Sequence, residues 1–147
     1  GIGYHFYIRR NGDIKSTRSV GRVGVHARGH NANSIGICYE GGLDCHGLAK
    51  DTRTEWQKHS LRVLVRALKM DYPEARVVGH RDLSPDVNGN GEVEPMEWTK
   101  ECPCFKVGEE GCYHLSFPHI KTNVSFVLFS YITVSNLLSS DNRKVCG

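Results

Sequence analysis

Ala75-Arg76-Val77-Val78-Gly79-His80-Arg81-Asp82 is the stretch on which the fold turns. Its paired β-branched residues read as a short strand that runs out at Gly79 and delivers His80 at its carboxyl end. Working back, Tyr72-Pro73 stops whatever precedes it, because proline cannot continue a helix. Before that stop, Leu61, Leu64, Val65 and Leu68 fall at helical spacing and predict an amphipathic helix over 54–71. Two capping boxes compete for its start, Thr54 with Gln57 and Thr52 with Glu55. Further back, Ile35 to Tyr39 predicts a buried strand over 35–40, with Gly36 allowing a close backbone approach and Cys38 as a small buried hydrophobe. Strand, helix, strand (35–40, 54–71, 75–79) is a βαβ unit, which predicts a parallel pair. His80 therefore sits where ligands of open α/β sheets collect.

Working forward, the segment ends in Lys100-Glu101-Cys102-Pro103-Cys104-Phe105. Proline disfavours the α region for the residue before it, so Cys102 is expected to be extended, and residues two apart then share a face. An imidazole (His80), a thiolate (Cys102) and an ammonium (Lys100) brought together suggest a Zn²⁺ centre with a cationic helper. A His and a Cys at this spacing fit no zinc-finger pattern, and most such pairs in globular chains are not ligands. A Cys–His hydrolase, with Cys102 or Cys104 as nucleophile and His80 as base, is the rival chemistry. Pro103, rather than a helix N-terminus beside Cys102, argues against it.

Between His80 and Cys102, Asp86-x-Asn88-x-Asn90-Gly91-x₅-Glu97 satisfies the EF-hand loop pattern, with Gly91 at the sharp turn and Glu97 at the bidentate position. Glu92 would offer its backbone carbonyl to Ca²⁺. The competing reading is a polar loop of good turn formers, since no entering helix precedes Ser84-Pro85 and two Asn reduce the charge.

The first residues read as a strand, Tyr4 to Arg10, with Tyr4, Phe6 and Ile8 on one face and His5, Tyr7 and Arg9 on the other. Asn11-Gly12 is a strong hairpin signal, and Asp13 to Ser16 forms the return strand. His5 reads as structural. Residues 17 to 34 lack periodicity and form a loop, in which His26 by itself reads as a solvated loop histidine.

Taken in order, Gly1-Ile-Gly-Tyr-His-Phe6, Gly24-Val-His-Ala-Arg-Gly-His-Asn31, Asn33-Ser-Ile-Gly-Ile-Cys-Tyr-Glu-Gly-Gly42, Gly79-His-Arg-Asp82 and Cys102-Pro-Cys-Phe105 resemble the zinc-dependent N-acetylmuramoyl-L-alanine amidases of the phage-lysozyme and peptidoglycan-recognition type. The resemblance implies an α/β fold, a mixed central β-sheet with packed helices. It implies zinc held by His80 and Cys102, and catalytic roles for Tyr4 and Lys100. It also implies a substrate groove flanked by His26 and Asn31. The family's first zinc ligand is a His on a strand upstream of Gly-Tyr-His-Phe, and this sequence starts too late to contain it. The expected function is peptidoglycan hydrolysis at the amide between N-acetylmuramic acid and L-alanine. The alternative is a non-catalytic peptidoglycan-binding module that has lost a zinc ligand.

At 147 residues one core can form; 39% hydrophobic and 24% charged content are ordinary for a globular chain. A net charge of +3 suits an anionic wall polymer but is too weak, without basic runs or aromatic RNA-binding motifs, to argue for nucleic acid. The expected partner is peptidoglycan or muropeptides, with no nucleic acid, no stable membrane insertion and a monomeric state. Six Cys without a leading signal peptide favour reduced thiols and a cytoplasmic protein released later to the wall. A signal for secretion could stand in the missing N-terminal part. The amidase-like domain is expected over 1–107, lacking the family's first strand. Residues 108–147 are expected as a non-family tail, whose apolar run 123–138 is too short and polar for a secure membrane span. That run reads as edge strands or a hydrophobic tail.

Overall fold

The computed structural model describes residues 2–110 and 125–131. Strands β1 (Phe6–Ile8) and β2 (Ile14–Ser16) form the expected hairpin, antiparallel with Ile8 opposite Ile14. Its turn closes through Gly12 N–H to Arg9 O at 2.9 Å, with Gly12 at φ 91°, a conformation glycine adopts without a Cβ penalty. Strand β3 (Ser34–Glu40) runs parallel to β1.

Helix α1 (Glu55–Asp71) starts one residue after the Thr54 cap. Thr54 Oγ1 accepts from Gln57 N and Gln57 Oε1 accepts from Thr54 N, so the first of the two competing boxes forms. Gln57 decides between them. Its Nε2 reaches Glu40 O at 2.8 Å and Ile8 O at 3.3 Å, tying the helix start to two strands. The helix buries Leu61, Leu64, Val65 and Leu68 against Ile8, Ile35, Ile37 and Tyr39 on one face of the sheet.

Strand β4 (Arg76–Gly79) follows, but it does not pair with β3. Strand β5 (Ser125–Tyr131) lies between them and is parallel to both, giving the order β2-β1-β3-β5-β4. The predicted βαβ unit is present, and its two strands are parallel but one strand apart. The expectation of edge strands in the apolar run is corrected as well: 125–131 has strand neighbours on both sides. Phe126 and Val127 are both fully buried, one in each of the two apolar clusters. Strands covered on both faces read as near-continuous apolar runs, as Phe126-Val127-Leu128-Phe129 does, which is why no alternation shows. The rest of the tail, 111–124 and 132–147, lies outside the described residues, so whether a separate tail begins at 108 is left to proposal.

The opposite face of the sheet carries a smaller cluster, Ala27, Cys38 and Val127, with Tyr4, Tyr7, Val78, Leu83 and Cys102 packed on it. Tyr4 thus joins Tyr7, not Phe6 and Ile8. The strand does not begin until Phe6, and the chain turns at His5, whose carbonyl takes Thr17 N and Arg18 N. Cys38 is buried as expected, and desolvation pushes its thiol far above the usual range. Cys45 is disulfide-bonded, which departs from the expectation of reduced thiols, whereas Cys38, Cys102 and Cys104 are thiols. No helix among the described residues is long and apolar enough to cross a membrane.

Candidate functional site

His80 opens a 3₁₀ turn (His80–Leu83) where β4 ends, and its Nδ1 lies 3.2 Å from Cys102 Sγ. Four contacts bring a segment so distant in sequence to this place. Arg81 N donates to Cys102 O at 2.9 Å, and Tyr39 Oη donates to Pro103 O at 2.7 Å. Cys104 Sγ approaches Gly42 O at 3.3 Å. Gly79 lacks the side chain that would block the fourth: a Cβ there would stand 2.6 Å from Pro103 Cδ. The Cys102–Pro103 bond is cis.

Two buried arginines stand beside the corner. Arg53 places its guanidinium 3.3 Å over the Phe105 ring and is held by Asp51 and Glu110, each at 2.8 Å. Arg81 lies 4.1 Å over Trp98 and donates to Phe105 O at 2.8 Å. Both were invisible in the sequence, where an arginine reads as surface. The Gly-His-Arg-Asp and Cys-Pro-Cys-Phe motifs are their only trace.

Burial, reinforced by Lys100 and His30, holds His80 below its ordinary pKa. A neutral imidazole is the form that ligates a metal. Lys100 is exposed, and its charge bears on His80. Tyr4 is half-buried and packs on the same cluster as Cys102. The structure therefore brings His80 and Cys102 into contact, with Tyr4 on the cluster that carries Cys102 and the charge of Lys100 felt at His80.

His26 faces the same cluster from the loop. It packs against the bare backbones of Gly24 and Gly36, where any Cβ would collide with its ring. It meets His5 edge-on at 5.5 Å between centroids. Burial, then the neighbouring His5, lowers its pKa to about 4. His5 is structural, as expected: Gly36 N donates to its Nδ1 at 3.0 Å, so its Nε2–H donates to Arg22 O at 2.9 Å. Asn31 folds the loop, its Oδ1 accepting from His26 N and Ala27 N, each at 2.8 Å.

The EF-hand-like loop stands apart. Asp86 accepts from Gly89 N and Gly91 N, and Glu97 from Val87 N, Asn88 N and Glu94 N. These amides hold the Glu97 carboxyl below its usual range. Asn88 and Asn90 make local turns, Asn88 Oδ1 taking Asn90 N and Asn90 Oδ1 taking Glu92 N, while the Glu92 side chain is exposed.

A zinc ion would be held here by an imidazole nitrogen and a thiolate. Tetrahedral geometry with ordinary Zn–N and Zn–S bonds separates those two atoms by about 3.5 Å. The observed 3.2 Å fits that donor pair. Among the described residues no group of three His, Cys, Asp or Glu that could hold a metal converges, so only these two donors would face it from them.

The family described as N-acetylmuramoyl-L-alanine amidase matches residues 1–104, a span that contains His80 and Cys102. An uncharacterized protein of Haemophilus influenzae is 47% identical over 97 residues, covering 66% of this chain and 84% of that protein. The endolysin of Klebsiella phage KP32 is 39% identical over 104 residues, covering 71% of this chain and 60% of the endolysin. This chain thus spans about three-fifths of the phage endolysin's length. Among solved structures, an endolysin N-acetylmuramoyl-L-alanine amidase, LysCS of Clostridium intestinale, superposes with a TM-score of 0.51 at 37% identity, over 66% of this chain and 60% of that one. With its His80–Cys102 corner inside the matched span, the chain belongs to the N-acetylmuramoyl-L-alanine amidase family.

Proposed function

We propose that this chain is a peptidoglycan hydrolase that cleaves the amide between N-acetylmuramic acid and L-alanine, using zinc held by His80 and Cys102. The carrying observation is the 3.2 Å approach of His80 Nδ1 to Cys102 Sγ in a corner reserved for it by Gly79, Tyr39 and Arg81. Bound there, zinc supplies an activated water and polarises the scissile carbonyl. Lys100 offers an ammonium and Tyr4 a phenol to the oxygen on which charge develops. His26 stays neutral in the working pH range and gives the groove an uncharged wall, with Asn31 setting the loop that carries it. The protein would work as a monomer and meet its substrate in the cell wall, after release from the cytoplasm or by secretion.

A second reading, a muropeptide-binding module without catalysis, draws on the two-membered donor set among the described residues. The Cys–His hydrolase draws on the same contact. Elemental analysis and two inhibitors separate all three. Zinc near one per chain, with activity lost to a chelator but not to a thiol alkylator under zinc saturation, is the expected result. Muropeptide binding without release of stem peptide selects the module, and alkylator-sensitive, chelator-resistant cleavage selects the thiol.

The 86–97 loop is further proposed to take Ca²⁺ through Asp86, Asn88, Asn90, the Glu92 carbonyl and Glu97, bracing the link between the zinc ligands. Its carboxylates Asp86 and Glu97 both turn into the loop and accept from its own amides, and a rise in melting temperature with Ca²⁺ but not Mg²⁺ is the expected outcome. We also propose that the family pattern spans 1–107, and that the residues from 108 lie outside that pattern although β5 completes the sheet.

A further inference from the structure

Arg81 adjoins His80 in sequence, yet most of its contacts are with the segment carrying Cys102. Its backbone N–H donates to Cys102 O at 2.9 Å, and its Nη2 donates to Phe105 O at 2.8 Å. Its guanidinium lies 4.1 Å over the Trp98 ring. One residue therefore grips 98–105 at three places, on both sides of the sulfur. It is 8% exposed, and the nearest carboxylate, Asp82, stands 4.0 Å from Nε while accepting from Gly79 N. An arginine cannot shed its charge, so burying it here is costly unless the groups it meets are fixed around it.

We propose that Arg81 is a positioning residue for the metal-binding pair, setting the separation of His80 and Cys102 through Phe105 O and Trp98. The inference rests on the zinc reading above and deepens it. The backbone bond to Cys102 O survives any substitution, but a single anchor leaves the segment able to pivot about it. The guanidinium supplies the second and third anchors. Lysine could reach one of them but not both, because an ammonium cannot donate in plane to a carbonyl while stacking its flat face on an indole.

The test compares wild type with Arg81→Met, Arg81→Lys and Arg53→Met. Arg53 stacks on Phe105 but makes no hydrogen bond to the backbone of 98–105, so Arg53→Met is a destabilised control. Zinc dissociation constants are read by competition with a chromophoric chelator, and the thiolate-to-cobalt band is read on the Co²⁺-loaded protein. Both are measured where circular dichroism shows every variant folded. Arg81→Met should weaken zinc about ten- to a hundredfold and shrink the cobalt band, as loss of an outer partner does at other metal sites. Arg81→Lys should fall between, and Arg53→Met should lower the melting temperature with zinc affinity unchanged. Equal affinity in Arg81→Met and wild type overturns the proposal, as does an equal loss in Arg53→Met. Wild type that takes up no zinc defeats the zinc reading alone. The positioning claim is then read in the metal-free protein, from the alkylation rate at Cys102 resolved by mass spectrometry. A faster rate in Arg81→Met upholds it, and an unchanged rate overturns it.

Discussion

The His80–Cys102 corner and the 86–97 loop are both built from polar residues, yet they are held in opposite ways. The corner is assembled by partners far away in sequence: Tyr39 on Pro103, Gly42 on Cys104, Arg81 on Phe105. The loop satisfies itself, with Asp86 and Glu97 taking amides from residues inside the same turn. Long-range contacts make a site rigid and dependent on the whole fold. Local ones make a motif that survives alone and contributes little to the rest. That contrast predicts where substitutions will be felt.

The largest effect is expected at the ligands. His80→Ala or Cys102→Ala should drop zinc per chain from near one to near zero by elemental analysis and abolish release of stem peptide. Next comes Gly79→Ala, which drives a methyl to 2.6 Å from Pro103 Cδ at an ordinary β backbone angle. Overpacking of this kind costs about 1–3 kcal/mol, read as a lower denaturation midpoint, and it should weaken zinc as well. Tyr39→Phe removes the donor to Pro103 O and leaves that carbonyl short of a partner, for about 1–2 kcal/mol by the same measurement.

A smaller effect follows from His26. Its folded pKa of about 4 lies below the ordinary histidine value of 6.5, so the unfolded chain takes the proton first as the pH falls. Its share of stability is whole above 6.5 and is lost on the way down to about 4. Melting temperatures from pH 7 to 4 should fall, and His26→Gln should make that slope shallower. The smallest effect is expected in the loop. Without Ca²⁺ present, Glu97→Gln should speed amide exchange at Val87, Asn88 and Glu94 while leaving zinc affinity untouched. A loss of zinc there would break the contrast, since it would show the loop to be mechanically joined to the corner.

Much of this was legible in the residues, and for a local reason. The hairpin, α1 and β4 announce themselves through Asn11-Gly12, the Thr54–Gln57 box with Leu61, Leu64, Val65 and Leu68, and Val77-Val78. Each is set by neighbours within a few positions. What was hidden depends on distance. Nothing near Phe126 says that it will lie between β3 and β4, because a strand buried on both faces carries no period to read. Tyr4 changed sides because the ladder starts at Phe6, and His5's carbonyl bonds that bend the chain come from Thr17 and Arg18. Arg81 and Arg53 were passed over because only the assembled corner gives their charge anything to hold.

The position of β5 has a consequence for the order in which the protein comes into being. Strand β4, which presents His80, finds its partner in β5, and β5 also closes the ladder along β3. On the ribosome, β3, α1 and β4 are all made before residue 125 exists. Until then the strand bearing the imidazole has no neighbour to register against. The nascent chain would carry every residue of the corner and still lack the corner itself, so any wall-cutting capacity should arise only once translation has passed Tyr131.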